Sequence, residues 1–269
     1  MRLDAALVKY GLSSTRSKAQ AAVLAGEVFV NGARAAKAGI TIPGDARLEV
    51  RPRRPAFVSR GGIKLEHALT SFGIDVKGKR AADIGSSTGG FTDCLLRRGA
   101  ARVYAVDVGT GQLDWSLRND PRVVALEERD IREVRVEDLE GPVDVATVDV
   151  SFISLAKVLP VLGRLVREGA SVVTLVKPQF EAGPKAAKRG VVRDAAVHLD
   201  VLREVAAHAE ATGFAVVNAT YSPIAGPEGN LEYFLHLRAI RGEAGGTAVD
   251  LASVVSTAHA AVNRKGARQ

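Results

Sequence analysis

The sequence predicts an α/β protein, with a Rossmann-like sheet of seven strands preceded by a small α+β domain. Apolar, strand-like segments alternate with helical ones in the larger part of the chain, as in a mostly parallel sheet covered on both faces. One such strand leads into a glycine-rich turn, and the next ends in a carboxylate. The predicted strands of the sheet cover residues 81–85, 102–107, 123–127, 143–149, 171–176, 215–221 and 231–237.

A basic segment with two prolines separates the two predicted domains. Pro52 and Pro55 cannot continue a helix or a central strand, so residues 51–58 are predicted to be a linker. We therefore expect a first domain over residues 1–50 and a second over residues 59–269. A chain of 269 residues can form one large core and one small one. The oligomeric state cannot be read from the sequence.

The first domain is predicted to contain two helices and a hairpin. Leu3 and Leu7 have helical spacing, and a Ser-Ser-Thr run can cap a second helix. Residues 27–30 alternate as a strand, Asn31-Gly32 is typical of a tight hairpin turn, and residues 46–50 supply a closing strand.

Positive charge is concentrated in this domain. Residues 1–54 contain ten Lys or Arg and four Asp or Glu, whereas the whole chain has a net charge of +7. This bias is typical of a nucleic-acid-binding module, and a merely solvated basic surface is the alternative. The candidate contacts to nucleic acid in this domain are Arg2, Arg16, Lys18, Arg34 and Lys37.

The second domain is organised around a glycine-rich turn within residues 82–92. Glycines there let the backbone approach a ligand, and the next helix offers free N–H groups to its negative part. The following strand ends in Asp107, 24 residues after Asp83, where nucleoside-binding folds hold ribose hydroxyls. The turn has neither the three-glycine dinucleotide spacing nor a triphosphate loop, so S-adenosylmethionine fits it best. The alternative is a tight strand-to-helix turn without a ligand.

Charged residues lie at the ends of three other strands. Two apolar strands continue until Asp149 and Lys177, and parallel sheets bind ligands at such carboxyl ends. Glu232 lies near the start of the last strand and reaches the same edge if that strand is antiparallel. Lys64 precedes the apolar stripe of the helix that follows the linker, where a solvated lysine would be the ordinary interpretation.

Several classes of function are not supported by the composition. The single cysteine, Cys94, cannot form an internal disulfide, so we expect a buried apolar role and no disulfide-linked partner. The five histidines lack metal-ligand spacing, so no metal site is predicted. The N-terminus does not read as a secretion signal and no apolar run could span a bilayer, so we expect a cytoplasmic protein without a membrane partner. The only tryptophan, Trp115, is expected in the core.

With these features in place, the chain resembles the TlyA family of bacterial ribosomal-RNA ribose methyltransferases, some of which are called haemolysins. The first domain is similar to the alpha-L RNA-binding domain, whose members hold structured RNA on a basic face. Two positions depart from the family pattern, because Phe57 stands where we expect a tryptophan and Pro55 where we expect a basic residue. The stretches that carry the resemblance are residues 58–65, 85–91, 107–115, 149–155, 176–181 and 229–234.

The resemblance implies an S-adenosylmethionine-dependent methyltransferase that acts on the ribose 2′-hydroxyl of cytidine in small- or large-subunit ribosomal RNA, or both. It adds Arg60 to the RNA contacts. The implied catalytic residues are Lys64, Asp149, Lys177 and Glu232. The implied cofactor-binding residues are Asp83, Gly85, Ser86, Ser87, Thr88, Gly89, Gly90, Phe91, Asp107, Val108, Asp130 and Asp149.

The implied reaction needs aligned reactants and a base for a weakly acidic hydroxyl. Lys177 is the candidate base, because a second ammonium, that of Lys64, favours the neutral form of a nearby lysine. An ordinary network of two salt bridges is the alternative for these four side chains. For the whole protein the alternatives are a membrane-active haemolysin and a non-catalytic RNA-binding factor in ribosome assembly. The target nucleotide, and whether naked RNA or an assembled subunit is the substrate, stay open.

Overall fold

The computed structural model describes residues 1–51, 56–183, 190–240 and 249–266, with only the main chain described for residues 262–266. The chain forms two compact units, Met1–Pro55 and Ala56–Gln269. Residues 52–55, the middle of the predicted linker, lie outside the described residues. They include Pro55, one of the two positions at which the sequence departs from the family pattern.

The first unit has the predicted order of two helices and a three-stranded antiparallel sheet, with strand order β2-β1-β3. Thr15 caps α2, because its hydroxyl accepts a hydrogen bond from the Lys18 amide at 3.2 Å. Asn31 and Gly32 both have positive φ, as a two-residue hairpin turn requires. The elements are α1 (Leu3–Lys9), α2 (Arg16–Leu24), β1 (Val28–Val30), β2 (Ala33–Arg34) and β3 (Leu48–Val50).

A buried carboxylate joins the two helices of this unit. The Asp4 side chain is fully buried and accepts hydrogen bonds from Arg2, Gln20 and Arg16 at 2.9–3.2 Å. These bonds hold the pKa of Asp4 well below its usual range, with those from Arg2 and Gln20 contributing most. Two of the five cations that the sequence assigned to RNA in this unit, Arg2 and Arg16, therefore also stabilise the fold.

The second unit is a seven-stranded sheet with strand order β6-β5-β4-β7-β8-β10-β9. Its strands are β4 (Arg80–Ile84), β5 (Arg102–Val106), β6 (Val123–Leu126), β7 (Val143–Val148), β8 (Val166–Val176), β9 (Phe214–Tyr221) and β10 (Tyr233–Ala239). Its α-helices are α3 (Arg60–Phe72), α4 (Gly90–Arg97), α5 (Trp115–Arg118), α6 (Leu155–Leu165), α7 (Pro178–Glu181), α8 (Ala195–Ala211) and α9 (Leu251–Gly266).

The predicted fold class is confirmed. Strands β4 to β8 are parallel, and β10 lies antiparallel between β8 and β9. One apolar cluster covers a face of the sheet with α3, α4 and α5, and a second covers the other face with α6, α8 and α9. Strands β4, β5, β7 and β10 between these layers are buried on both sides, which is why the sequence shows continuous apolar runs there.

Three details differ from the sequence interpretation. Strand β8 starts at Val166, before the predicted strand, and β10 starts at Tyr233, so Glu232 immediately precedes the strand. Trp115 is 78% exposed and does not lie in the core, because its neighbours Leu113 and Leu117 take the buried positions instead.

Cys94 is buried, as predicted. Among the described residues, none of the helices combines the length and apolar character needed to cross a membrane.

We expect Asp4→Asn to destabilise the first unit at neutral pH, because it removes the charge that the two guanidinium groups bind. The folded pKa of Asp4 lies below the unfolded one, so its contribution exists above the unfolded pKa and is lost as the pH falls through the folded pKa. The stability difference between variant and wild type should therefore shrink below about pH 4.

Hydrogen exchange of the first unit within the full chain, measured across this pH range, tests the prediction. Asp45→Asn, which removes an exposed acid of the same unit, is the control and should change little. An Asp4→Asn effect that grows as the pH falls would contradict this account.

Candidate active site

The glycine-rich turn between β4 and α4 lies against the main chain that follows β7. Gly85 has φ +81°, and a Cβ atom there would come within 2.5 Å of the Asp149 carbonyl oxygen. A side chain at this position would therefore need both an unfavourable backbone conformation and space that is already filled. Glycine thus lets the turn and Asp149 share one edge of the sheet.

Asp107 connects this turn to the end of β5. Its Oδ2 accepts a hydrogen bond from the Ser87 amide at 2.7 Å, and its Oδ1 accepts one from the Gly109 amide at 2.8 Å. A carboxylate oxygen has two lone pairs, so each oxygen can accept a further bond from a ligand hydroxyl. The carboxylate is thereby fixed in position and still able to bind.

A cleft of about 600 Å³ opens beside these residues. Its walls include Gly85, Asp107, Val108, Asp130 and Asp149, all predicted from the sequence. The volume is in the range of small-molecule sites, and the carboxylates suit a ligand that carries hydroxyl, amino and sulfonium groups. These features fit S-adenosylmethionine.

A second, smaller cleft of about 200 Å³ adjoins the first. The two share Gly85, Ser87, Asp149 and Ser151, and Lys177 lines the smaller one. The smaller cleft therefore connects the glycine-rich turn to a predicted catalytic lysine. The remaining predicted turn residues that line it are Ser86, Thr88, Gly90 and Phe91.

Asp130 is held at the cleft wall by its neighbour Arg132. The carboxylate accepts from the Arg132 amide at 2.9 Å, and the two side chains form an ion pair at 2.5 Å. The Arg132 guanidinium lowers the pKa of Asp130 to about 2, so this carboxylate stays ionised at neutral pH.

Two predicted cofactor-binding residues lie outside both cleft linings. Asp83 is fully buried, and its two oxygens accept hydrogen bonds from the hydroxyls of Thr92 at 2.7 Å and Thr147 at 3.0 Å. Burial raises its pKa to about 7. Asp83 thus joins β4 to α4 and β7 beneath the turn, and Gly89 backs onto Leu117 in the core.

The four predicted catalytic side chains form two ion pairs. Lys177 Nζ lies 2.6 Å from Asp149 Oδ1, and Lys64 Nζ lies 2.5 Å from Glu232 Oε2. Lys177 also donates a hydrogen bond to Ser151 Oγ at 2.9 Å. The structure therefore brings each lysine to a carboxylate, and Lys64 is not the solvated lysine of the ordinary interpretation.

Strand register explains why these residues meet. In the parallel pair, Val148 of β7 is opposite Thr174 of β8, so both strands end at one edge. In the antiparallel pair, Val176 is opposite Tyr233, so the start of β10 lies at that same edge. Asp149 follows Val148, Lys177 follows Val176, and Glu232 precedes Tyr233, so all three lie at this edge.

The two pairs differ in their surroundings. The two lysine side chains are equally buried, at 10% exposed for Lys64 and 11% for Lys177, whereas Glu232 is fully buried and Asp149 is 22% exposed. Asp149 lines both clefts and Lys177 lines the smaller one. Glu232 Oε1 has no hydrogen-bond partner among the described residues. Asp149 Oδ1 touches the Lys177 ammonium but lacks hydrogen-bond alignment with it. Each pair thus retains acceptor capacity.

Phe152 is a site residue that the sequence reasoning did not single out. Its side chain is 90% exposed, its φ is +64°, and it lines the larger cleft. The ring lies 4.9 Å from that of Phe180, which is near Lys177. A left-handed φ at a bulky residue is uncommon and concentrates at functional sites. Its place three residues after Asp149 was the available signal.

The predicted RNA-contacting residues have different surroundings. Lys18, Arg34 and Lys37 are exposed, and no ion pair involves them within the described part of the chain. Arg34 lies over Gly26. In the second unit, Arg60 is exposed at the start of α3 and donates a hydrogen bond to the Ala225 carbonyl at 2.6 Å.

Comparison with known proteins identifies both units. Residues 57–239 match the model of the FtsJ-like methyltransferase family, and residues 1–48 match that of the S4 domain. The first match covers more than half of the chain and includes all four paired side chains.

Relatives align over most of the chain. The 16S/23S rRNA (cytidine-2′-O)-methyltransferase TlyA of Mycobacterium tuberculosis is 47% identical over 88% of this chain and 89% of the relative. Hemolysin A of Brachyspira hyodysenteriae is 43% identical over 88% of this chain and 99% of the relative. A solved structure from Streptococcus thermophilus, described as a candidate hemolysin, has 42% identity and a TM-score of 0.78, and the alignment covers 99% of this chain and 98% of that one.

We expect Asp107→Ala to weaken binding of S-adenosylmethionine. A lost hydrogen bond to a charged acceptor costs about 1.5–3 kcal/mol, so the dissociation constant should rise by at least about tenfold. Isothermal calorimetry on the full chain measures this. Asp75→Ala, at an exposed turn before β4, is the matched control. Equal affinities for wild type and Asp107→Ala would refute the ribose-binding role.

Proposed function

Because the chain belongs to the FtsJ-like methyltransferase family, we propose that it transfers a methyl group from S-adenosylmethionine to a ribose 2′-hydroxyl of ribosomal RNA, at cytidine. The observation that carries this proposal is the pair of lysine–carboxylate contacts at one sheet edge, beside a cleft lined by Asp107 and the glycine-rich turn. The family relationship supports S-adenosylmethionine as the cofactor, and the cleft fits it.

The cleft residues divide the binding of the cofactor between them. S-adenosylmethionine supplies an electrophilic methyl group on a sulfonium sulfur. We assign Asp107 to the ribose hydroxyls and Asp130 to the adenine, since both carboxylates line the larger cleft. The glycine-rich turn offers main-chain N–H groups to the carboxylate of the amino-acid end. The smaller cleft then receives the acceptor ribose beside Lys177.

Lys177 acts as the base for the 2′-hydroxyl proton. It lines the smaller cleft and is held from two sides by Asp149 and Ser151. A lysine must lose its proton before it can accept one, and the hydrogen bond to Ser151 gives the neutral amine a defined orientation. Asp149 compensates the charge when Lys177 takes up the hydroxyl proton.

Lys64 and Glu232 hold the acceptor ribose in line. Their ion pair is more buried than that of Lys177 and Asp149, so it is the better fixed of the two. Alignment of the attacking oxygen with the methyl group contributes most when it is built into the protein beforehand.

Phe152 stacks on the base of the target nucleotide. Its exposed ring lies at the mouth of the larger cleft and is supported from the side by Phe180. Enzymes that act on a nucleotide in structured nucleic acid take it out of its stack, and an aromatic ring then replaces the lost stacking.

The S4 domain supplies RNA affinity through Lys18, Arg34 and Lys37. Arg2 and Arg16, which also bind Asp4, add to this affinity. Arg60 adds a contact from the second unit. The partner is ribosomal RNA or a ribosomal subunit, which places the activity in the cytoplasm. Lysis of membranes and a purely RNA-binding role are less well supported, because neither needs two lysine–carboxylate pairs beside a cofactor cleft.

Lys177→Ala should abolish methylation while cofactor affinity is retained, because this side chain acts on the ribose hydroxyl. Lys177→Arg should also fail, since arginine keeps the charge but stays protonated. Single-turnover transfer of labelled methyl groups to unmodified 16S and 23S rRNA and to isolated subunits measures both variants. Lys77→Ala, beside the amino end of β4, is the control and should keep wild-type activity. Activity in Lys177→Arg would overturn the base assignment.

Lys18→Ala with Lys37→Ala should weaken RNA binding and flatten its salt dependence. Each lost phosphate contact lowers the slope of log affinity against log salt by roughly 0.7–0.9. Filter binding to 16S and 23S rRNA across a salt series gives the slope. Arg203→Ala, on the exposed side of α8, removes one charge from the second unit, half of what the double variant removes from the first. If its slope changes as much as that of the double variant, the S4 domain is not the main contact.

A further inference from the structure

Glu232 lies between two buried polar residues that both connect to Val192. Asn230 precedes it by two positions and Tyr233 follows it directly. The Val192 amide donates a hydrogen bond to Asn230 Oδ1 at 3.1 Å, and the Val192 carbonyl accepts one from His198 Nε2 at 3.1 Å. Tyr233 then bonds to the other nitrogen of His198. We call Asn230, Val192, His198 and Tyr233 the bracket, because their hydrogen bonds join the residues that flank Glu232 in the chain.

Asn230 is the first arm of this bracket. Its side chain is 3% exposed, and its amide nitrogen donates to the Gly190 carbonyl at 2.9 Å and the Pro227 carbonyl at 3.1 Å. Together with the bond from Val192, the side chain uses both amide hydrogens and its oxygen. An alanine here would leave the amide of the buried Val192 without this partner.

Tyr233 and His198 form the second arm. The Val192 carbonyl can only accept, so His198 carries its hydrogen on Nε2, and Nδ1 accepts the Tyr233 hydroxyl at 2.8 Å. His259 of α9 also approaches Nδ1, at 3.0 Å. Burial is the main cause that lowers the pKa of His198, and the charge of His259 adds to this, whereas the bond to the Val192 carbonyl and the charge of Asp194 oppose it. The neutral ring that the bracket needs is thereby favoured.

Glu232 is fixed by its main chain, by Lys64 and by the loop that Asn230 holds. It precedes β10, and its main-chain carbonyl accepts from the Ser222 amide at 2.8 Å. Its carboxylate touches Lys64, whereas Oε1 has no hydrogen-bond partner among the described residues. A Cβ at Gly226 would lie 2.1 Å from Oε1, so the loop before Asn230 packs directly on the carboxylate.

We propose that Asn230, His198 and Tyr233 are positioning residues that hold Glu232, and through it Lys64, in the geometry needed for methyl transfer. This proposal rests on the proposed role of Glu232 in catalysis. None of the three residues lines either cleft, and neither do Glu232 and Lys64, so their effect on the reaction passes through the placement of this buried pair.

The test compares Tyr233→Phe and Asn230→Ala in the full chain. Tyr233→Phe removes one oxygen and keeps the buried ring, so it is expected to fold. We expect its single-turnover methylation rate on 16S and 23S rRNA and isolated subunits to fall by about tenfold, and that of Asn230→Ala by about 100-fold. The KM for RNA and the dissociation constant of S-adenosylmethionine should stay at the wild-type values.

Ser171→Ala is the matched control. It removes the hydrogen-bond partner of His236 at the far end of the same strand pair, so it perturbs β8 and β10 without touching Glu232. It should lower thermal stability and leave the rate unchanged. Wild-type rates in both bracket variants, or a rate loss in Ser171→Ala as large as that in Tyr233→Phe, would overturn the positioning role.

The outcomes also separate this proposal from the proposed function. If wild-type protein methylates neither RNA nor subunits, the proposed function fails and the positioning role fails with it. If wild type is active and Glu232→Gln is equally active, the role of Glu232 is wrong. If Glu232→Gln is impaired but the bracket variants are not, the bracket alone is wrong.

Discussion

The active site depends on where strands β7, β8 and β10 end. Two parallel strands and one antiparallel neighbour bring Asp149, Lys177 and Glu232 to one edge of the sheet, although they are far apart in sequence. A register shift of one residue in β10 would turn its side chains to the opposite face and remove Glu232 from the site. The catalytic geometry therefore rests on backbone hydrogen bonds and on the apolar layers that bury each strand.

Placing several carboxylates at this edge costs free energy of desolvation, and hydrogen-bond donors around them offset that cost. A buried carboxylate without partners is strongly destabilising, so each one here has a defined set of donors. Asp83 uses two threonine hydroxyls to tie the glycine-rich turn to β7, and Asp107 uses two main-chain amides. Among the described residues, buried side-chain oxygens without a hydrogen-bond partner lie on Asp149 and Glu232, the proposed catalytic carboxylates, and on Thr174 and Gln179. This concentration of unmet hydrogen bonding is expected at a site that binds its partner from solution.

The sequence allowed the fold class, the sheet and the edge at which Asp149, Lys177 and Glu232 lie to be predicted, because strand ends and glycine turns have local signals. It did not predict the exposure of Trp115, since tryptophan is usually buried and only its short helix decides which face turns outward. It assigned Asp83 to the cofactor because this residue immediately precedes the glycine-rich turn, and it could not show that the carboxylate binds Thr92 and Thr147, since the direction of a side chain depends on neighbours in space. His198 and Val192 connect to Asn230 and Tyr233 only through tertiary contacts, so no spacing in the sequence links them to the segment around Glu232.

Each pair joins a lysine to a carboxylate, but the two pairs differ in whether they line the clefts. This difference explains why we assign them different roles. Lys177 and Asp149 line the clefts, so a ribose hydroxyl can reach the lysine and a proton can leave it. Lys64 and Glu232 line neither cleft, and the loop at Gly226 packs on the Glu232 carboxylate, so their charges stay paired and their positions vary little. Proton transfer needs a group whose charge can change, whereas alignment needs one whose charge stays constant. The fold provides both by placing one pair in the cleft walls and the other outside them.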